Sequence, residues 1–170
     1  RWEPDAAARL VAEDTALSPR PRFLSDGRLM FWRPSDAGTQ EGFVTDGDVE
    51  SSFVDQARGS TLREIGGGFF YIERPDLGLW LGSYDGEGSD VIEGLSLRFV
   101  TVAGGAMALV DGAAIGHHPE TGVRDYDLDG LSTLSNAGAS GVTVWQIDEQ
   151  ALWYLPAPIV GGEPVQLSAE

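Results

Sequence analysis

The chain has 170 residues, of which 42% are hydrophobic, so it is long and apolar enough to bury a core, and wholesale disorder is not expected. Its formal net charge is −16, from 27 acidic and 11 basic residues, and every basic residue is arginine. Such a surface repels the phosphates of nucleic acids and of anionic membranes, so neither is expected as a partner. The absence of cysteine excludes disulfides, thiolate metal sites and cysteine nucleophiles.

The first residue is Arg1 rather than methionine, from which we expect that a leader or other upstream sequence has been removed. No apolar run approaches the roughly 20 residues that a membrane helix needs, so we expect no membrane insertion. Together with the acidity and the lack of cysteine, the missing start methionine favours a periplasmic or extracellular bacterial protein.

Residues 3–14 predict one short N-terminal helix. Pro4 suits the first turn of a helix, and the neighbouring acidic residues Glu3 and Asp5 favour the positive end of its dipole. An apolar stripe at helical spacing follows, formed by Ala6, Ala7, Leu10 and Val11.

Residues 22–155 carry the pattern of short strands separated by turn signals such as Asp111-Gly112. The spacing favours one mainly β domain, an antiparallel β-sandwich or barrel, over residues 1–170. A β-propeller fragment is the alternative, because Asp26–Trp32 and Gln150–Tyr154 resemble one another, although they form no regular repeat. We expect a long acidic loop over residues 117–140 and an extended tail over residues 156–170.

The sequence Asp125-Tyr126-Asp127-Leu128-Asp129-Gly130 holds three aspartates at alternate positions. Calcium prefers six to eight oxygen ligands, and carboxylates spaced in this way can face one centre if the backbone loops around it. The stretch resembles the calcium loops of EF-hands and dockerins and the aspartate-rich loops of integrin-type propeller blades. That resemblance implies a structural Ca²⁺ ion held by Asp125, Asp127 and Asp129.

The stretch departs from a true EF-hand, whose twelve-residue loop closes on a bidentate glutamate. Counted from Asp125, the twelfth position is Asn136, and Ser132 stands where an apolar residue is expected. We therefore expect a non-helical calcium loop, or else an acidic turn whose aspartates cap backbone amides.

Two further stretches bear on metal binding. Residues 85–93 resemble a single nonapeptide of the RTX calcium-binding β-roll, but no neighbouring copy completes an ion site, so a glycine-rich turn is the expected structure. His117 and His118 are adjacent, so on a strand they point to opposite faces and cannot easily share one metal. We expect them to form an exposed pair in a loop.

The sequence contains no nucleophile elbow, phosphate loop or dinucleotide fingerprint, so binding is favoured over catalysis. Consecutive aromatics such as Phe69-Phe70-Tyr71 must face both sides of a sheet, which predicts either a two-sided core or an exposed aromatic face that suits carbohydrate or a protein partner. We therefore expect a non-catalytic binding or assembly module. The alternatives are a polysaccharide-acting hydrolase or lyase that uses acidic residues, and a structural accessory subunit of a larger complex.

The calcium hypothesis predicts that the melting temperature rises with calcium but not with magnesium or a chelator, because a ligand that binds only the native state stabilises it. Asp127→Ala should abolish that rise. Equal melting temperatures in all three solutions would contradict the hypothesis.

Overall fold

The computed structural model describes residue 15 and residues 19–35, 38–94, 97–136 and 138–169. Sixteen strands there form four antiparallel sheets of four strands each, which confirms the predicted mainly β class. The described residues form no closed barrel. The helix predicted over residues 3–14 lies outside the described residues. In the described ranges, no helix is long and apolar enough to cross a membrane.

Sheets 1 and 2 are meanders in which each strand pairs with the next along the chain. The strands of sheet 1 are β1 Arg22–Phe23, β2 Leu29–Pro34, β3 Gln40–Thr45 and β4 Glu50–Ala57. A short 3-10 helix at Gly59–Thr61 leads to sheet 2. The strands of sheet 2 are β5 Arg63–Gly66, β6 Phe69–Arg74, β7 Gly78–Ser83 and β8 Gly88–Glu93.

Sheets 3 and 4 repeat the same meander order. The strands of sheet 3 are β9 Leu97–Val102, β10 Gly105–Val110, β11 Ala113–His118 and β12 Gly122–Asp125. The strands of sheet 4 are β13 Leu131–Asn136, β14 Gly141–Gln146, β15 Ala151–Pro156 and β16 Val165–Ala169. The second strands of the four sheets begin at residues 29, 69, 105 and 141, so the sheets recur every 40, 36 and 36 residues.

Local turn chemistry explains how the strands reverse. Asp111 and Gly112 join β10 to β11 with φ angles of 49° and 87°. A two-residue turn with positive φ at both positions matches the right-handed twist of the strands, and Asp-Gly is among the sequences that adopt it most readily. The turn predicted at this position is confirmed.

Three hydrophobic cores lie between successive sheets, so the sheets are packed in chain order. The core between sheets 1 and 2 is the most aromatic, and it contains Trp32, Phe53, Phe70, Trp80 and Tyr84. The core between sheets 2 and 3 is built from smaller side chains around Tyr71, including Leu79, Ala106 and Ala108. The core between sheets 3 and 4 includes Met107, Tyr126, Val142, Val144 and Leu155.

Strand β6 contributes side chains to two hydrophobic cores. Phe70 and Ile72 belong to the core against sheet 1, whereas Tyr71 between them belongs to the core against sheet 3. Alternate side chains of a strand point to opposite faces, so a sheet with neighbours on both sides is apolar at every position. The aromatic run therefore forms a two-sided core, and only Phe69 at its start remains substantially exposed, at 47%.

The expectation of a long loop over residues 117–140 is wrong, because this segment contains β12 and β13, which pair with β11 and β14. The predicted extended tail over residues 156–170 ends in β16, an extended strand whose pairing with β15 was not predicted. All three are outer strands of their sheets with many exposed polar residues, so their apolar alternation is too weak to reveal them.

Phe53 on β4 lies at the centre of the first core. Its ring centroid is 5.5 Å from that of Trp32, 5.5 Å from that of Phe70 and 5.3 Å from that of Tyr84, all in edge-to-face geometry. Gly42 makes room for this ring, because a Cβ atom there would lie 2.5 Å from Phe53 Cζ. The contacts join sheet 1 to sheet 2.

We expect Phe53→Ala to lower the free energy of unfolding by about 3–5 kcal/mol, because it opens a cavity at the centre of this core. Urea unfolding followed by tryptophan fluorescence measures the loss. Phe23→Ala is the control: Phe23 is 76% exposed, so its loss should stay within about 0.5 kcal/mol. Equal losses in the two variants would contradict the central role of Phe53.

Candidate ligand groove

A groove of about 610 Å³ opens between sheets 1 and 2, where three turns of the chain meet. The turn over residues 24–28 connects β1 to β2, and Gly67 and Gly68 connect β5 to β6. The turn over residues 84–87 connects β7 to β8. Each turn contributes to the lining, so the groove is assembled from parts that are distant in sequence.

Arg22, Glu64 and Tyr84 form a closed polar triangle in this groove. Arg22 Nη2 donates to Glu64 Oε1 at 2.6 Å and to the Tyr84 hydroxyl at 2.7 Å. The Tyr84 hydroxyl in turn donates to Glu64 Oε1 at 2.5 Å. Each side chain therefore fixes the other two, and the groove presents a preformed set of donors and acceptors.

Burial holds Tyr84 in its protonated form. Burial away from water is the main cause that raises the pKa of Tyr84 well above its usual value of 10.0, and the hydrogen bond to Glu64 is the second cause. Its ring centroid lies 4.8 Å from that of Phe70 in the core between sheets 1 and 2. The aromatic core thus positions a hydroxyl that acts as a hydrogen-bond donor at neutral pH.

Arg28 bridges two carboxylates on opposite sides of the groove. Its Nε donates to Asp26 Oδ2 at 2.7 Å and its Nη1 donates to Asp85 Oδ1 at 2.9 Å. The backbone amide of Arg28 also donates to Asp26 Oδ1 at 3.0 Å. This backbone hydrogen bond, reinforced by the guanidinium, lowers the pKa of Asp26 below its usual value. The ion pairs connect a turn of sheet 1 to a turn of sheet 2.

Three consecutive glycines keep one wall of the groove open. Gly66, Gly67 and Gly68 have φ angles of 100°, 63° and 80°, a left-handed conformation that side chains with a Cβ atom rarely adopt. No atom lies within 4 Å of a Cβ built at Gly66 or Gly68. The run therefore reverses the chain and leaves space for a ligand beside Phe69.

Two aromatic rings stand at the rim of the groove. Phe23 on β1 is 76% exposed and Phe69 on β6 is 47% exposed. Both line the same groove as the polar triangle. Apolar ring surface beside converging donors and acceptors is typical of small-molecule binding sites.

The aspartates predicted to bind calcium lie at the end of β12 and in the segment that follows it. The Asp125 carboxylate accepts a hydrogen bond from the Asp127 amide at 2.9 Å, and Asp127 has a φ angle of 52°. The Asp129 carbonyl accepts from Gln146 Nε2 at 3.0 Å, and Gly130 adopts a φ angle of 70°. The carboxylate thus caps a local turn, as the alternative interpretation expects.

Among the described residues, no group of three or more histidine, aspartate or glutamate side chains is arranged to hold a metal ion. The calcium site at Asp125, Asp127 and Asp129 stays a prediction. In the RTX-like stretch, Asp85 pairs with Arg28 and residues 88–93 form β8, so the stretch is a turn followed by an edge strand.

The expected exposed histidine pair is wrong, because His117 and His118 are only 7% and 6% exposed at the end of β11. His117 Nδ1 lies 2.9 Å from the Tyr71 hydroxyl of sheet 2. His118 Nδ1 accepts a hydrogen bond from the Glu120 amide at 3.1 Å. The two rings have separate partners, as expected for adjacent residues of a strand.

Sequence reasoning did not find the groove. Arg22, Glu64 and Tyr84 are 42 and 20 residues apart along the chain, and no motif connects them. The one local signal was the glycine run at residues 66–68 followed directly by aromatic residues. Its use as an open wall depends on which turn of sheet 1 lies opposite.

His117 gives the protein a pH-dependent stability. Burial is the main cause that lowers the pKa of His117 below its usual value of 6.5, and repulsion from the charge of His118 is the second cause. The unfolded chain therefore binds a proton more readily than the native chain, and the free energy of unfolding should fall as the pH drops through about 6.5.

We expect His117→Gln to have a smaller loss of stability between about pH 8 and about pH 5 than the parent protein, in urea unfolding experiments. Tyr71→Phe removes the hydroxyl contact but keeps the imidazole, so its pH dependence should persist. An unchanged pH dependence in His117→Gln would show that another group is responsible.

Comparison with protein-family models, with curated proteins and with solved structures finds no match to this chain.

Proposed function

We propose that this chain is a non-catalytic binding module that holds a carbohydrate in the groove between sheets 1 and 2. The observation that carries the proposal is the Arg22–Glu64–Tyr84 triangle beside the exposed ring of Phe69. It combines fixed polar groups with apolar ring surface in a groove of about 610 Å³.

Carbohydrate chemistry suits this combination. A sugar ring has apolar C–H faces that pack on aromatic rings, and hydroxyls that both donate and accept hydrogen bonds. Carboxylates such as that of Glu64 accept from hydroxyls, and the guanidinium of Arg22 donates to them. Because the polar groups of the groove already hold one another in place, little conformational entropy is lost when a ligand binds.

The charges in the groove favour binding over hydrolysis. A glycosidase needs one carboxylic acid that is still protonated near neutral pH and a second carboxylate opposite it. Here Glu64 pairs with Arg22, and Asp26 and Asp85 pair with Arg28. The pKa of Asp26 is lowered rather than raised, which is unfavourable for a general acid.

We also propose that the four sheets are blades of a β-propeller type of architecture. The support is the recurrence of four-stranded meanders every 36 to 40 residues, with one core between each sheet and the next. Repeats of this length with four strands each are typical of propeller blades, whose turns commonly carry binding sites.

The proposal includes an exported bacterial protein and a structural Ca²⁺ ion at Asp125, Asp127 and Asp129. The ion would hold the segment after β12, which contributes no residue to the lining of the groove.

An accessory subunit is the second candidate. Its support is the edge strand β16, where Val165 and Leu167 are 51% and 53% exposed. An edge strand with exposed apolar side chains is suited to pairing with another protein chain.

We expect the protein to bind at least one member of a panel of gluco-, xylo-, manno- and glucosamine oligosaccharides in isothermal titration calorimetry. Phe69→Ala should weaken that binding by about tenfold, because it removes the ring that supports the sugar. Leu167→Ala is the matched control, since Leu167 is similarly exposed but lies on sheet 4. The proposal fails if no oligosaccharide binds, or if both variants bind as tightly as the parent protein.

A further inference from the structure

We propose that the groove selects sugars that carry a free, protonated amine, such as β-1,4-linked glucosamine oligomers. This inference rests on the proposed carbohydrate function and names the ligand class of the same site. It follows from the charges that line the groove, the position of Glu87 and the exposed ring of Phe69.

Acidic groups outnumber basic groups in the lining of the groove. Two guanidiniums face four carboxylates, and the lining residues that carry these charges are Arg22, Arg28, Asp26, Glu64, Asp85 and Glu87. The arginines pair with three of the carboxylates. Among the described residues, Glu87 forms no ion pair, so one carboxylate at the rim remains for a cationic ligand.

The backbone brings Glu87 to the side of the groove where Phe69 lies. The Ser83 amide donates to the Glu87 carbonyl at 2.8 Å, which closes the turn between β7 and β8. Ser83 is also the strand partner of Phe69 on β6. Phe69 and Glu87 therefore lie on either side of Ser83 at one rim of the groove, about 10 Å apart across the sheet, which is two strand spacings.

A sugar that packs on Phe69 can direct a protonated amine toward Glu87. The carboxylate attracts the ammonium electrostatically and accepts its hydrogen bonds. A hydroxyl at the same position of the sugar can also donate to the carboxylate, but it carries no positive charge and so lacks the electrostatic attraction of the ammonium. A carboxylated or sulfated sugar is repelled by Glu87 and by the net charge of −16 on the whole chain.

The deciding experiment compares glucosamine oligomers with glucose oligomers of the same length and linkage, which differ only in the replacement of each amine by a hydroxyl. Calorimetric titration is done at low ionic strength in a mildly acidic buffer, where the amine of the sugar is protonated. We expect the glucosamine oligomer to bind at least about tenfold more tightly, which corresponds to roughly 1.4 kcal/mol.

Glu87→Gln should remove most of that preference, because it deletes the carboxylate with little change of shape. Glu93→Gln is the matched control, since it makes the same change of charge at an exposed position at the other end of β8. The preference should persist in Glu93→Gln, which separates a local contact from the overall charge of the protein.

The outcomes distinguish this inference from the proposed function. Equal affinity for the two oligomers, or tightest binding of a uronic acid oligomer, would overturn the amine preference and leave carbohydrate binding in place. Failure of every saccharide to bind would overturn the proposed function itself. If spermidine binds as tightly as the glucosamine oligomer, the site recognises amines without the sugar, and the saccharide assignment is wrong.

Discussion

The edge-to-face packing of Phe53 against three aromatic rings is the contact on which the groove depends. It holds β4 of sheet 1 against Phe70 and Tyr84 of sheet 2, at centroid distances of 5.5 Å and 5.3 Å. Burial of a single side chain of this size contributes roughly 1.5–3 kcal/mol, so the cluster accounts for much of the adhesion between these sheets. Because the Tyr84 ring belongs to this core, the position of its hydroxyl in the groove is set by hydrophobic packing.

Arginine is the only basic residue type in a chain with many more acidic residues. Its planar guanidinium group can contact two acceptors at once. Arg22 contacts both Glu64 and Tyr84, and Arg28 contacts both Asp26 and Asp85. An ammonium is a point charge with less directional geometry, whereas a guanidinium offers five donors in a rigid plane. The two contacts of each arginine connect segments that belong to different sheets, although each exposed ion pair contributes little stability by itself.

Packing on both faces gives the central strands continuous apolar runs instead of an alternating pattern. In β10 every residue is buried, because Met107 and Leu109 face sheet 4 while Ala106 and Ala108 face sheet 2. Alternation of apolar and polar residues is the usual sign of a strand with one face in water, and it disappears when both faces are covered. The edge strands β12, β13 and β16 were missed because they are too polar to show an apolar pattern.

The sequence by itself determined the antiparallel β class and the turn at Asp111-Gly112, because strand propensity and positive φ angles are properties of neighbouring residues. It also determined that the run beginning at Phe69 must occupy both faces of a sheet. Only the tertiary structure decided how sixteen strands are divided into four sheets, since strand pairing depends on contacts between distant segments. The groove was likewise decided only by the tertiary structure. Its charged side chains and aromatic rings come from two sheets, and they meet only because an aromatic core packs those sheets together.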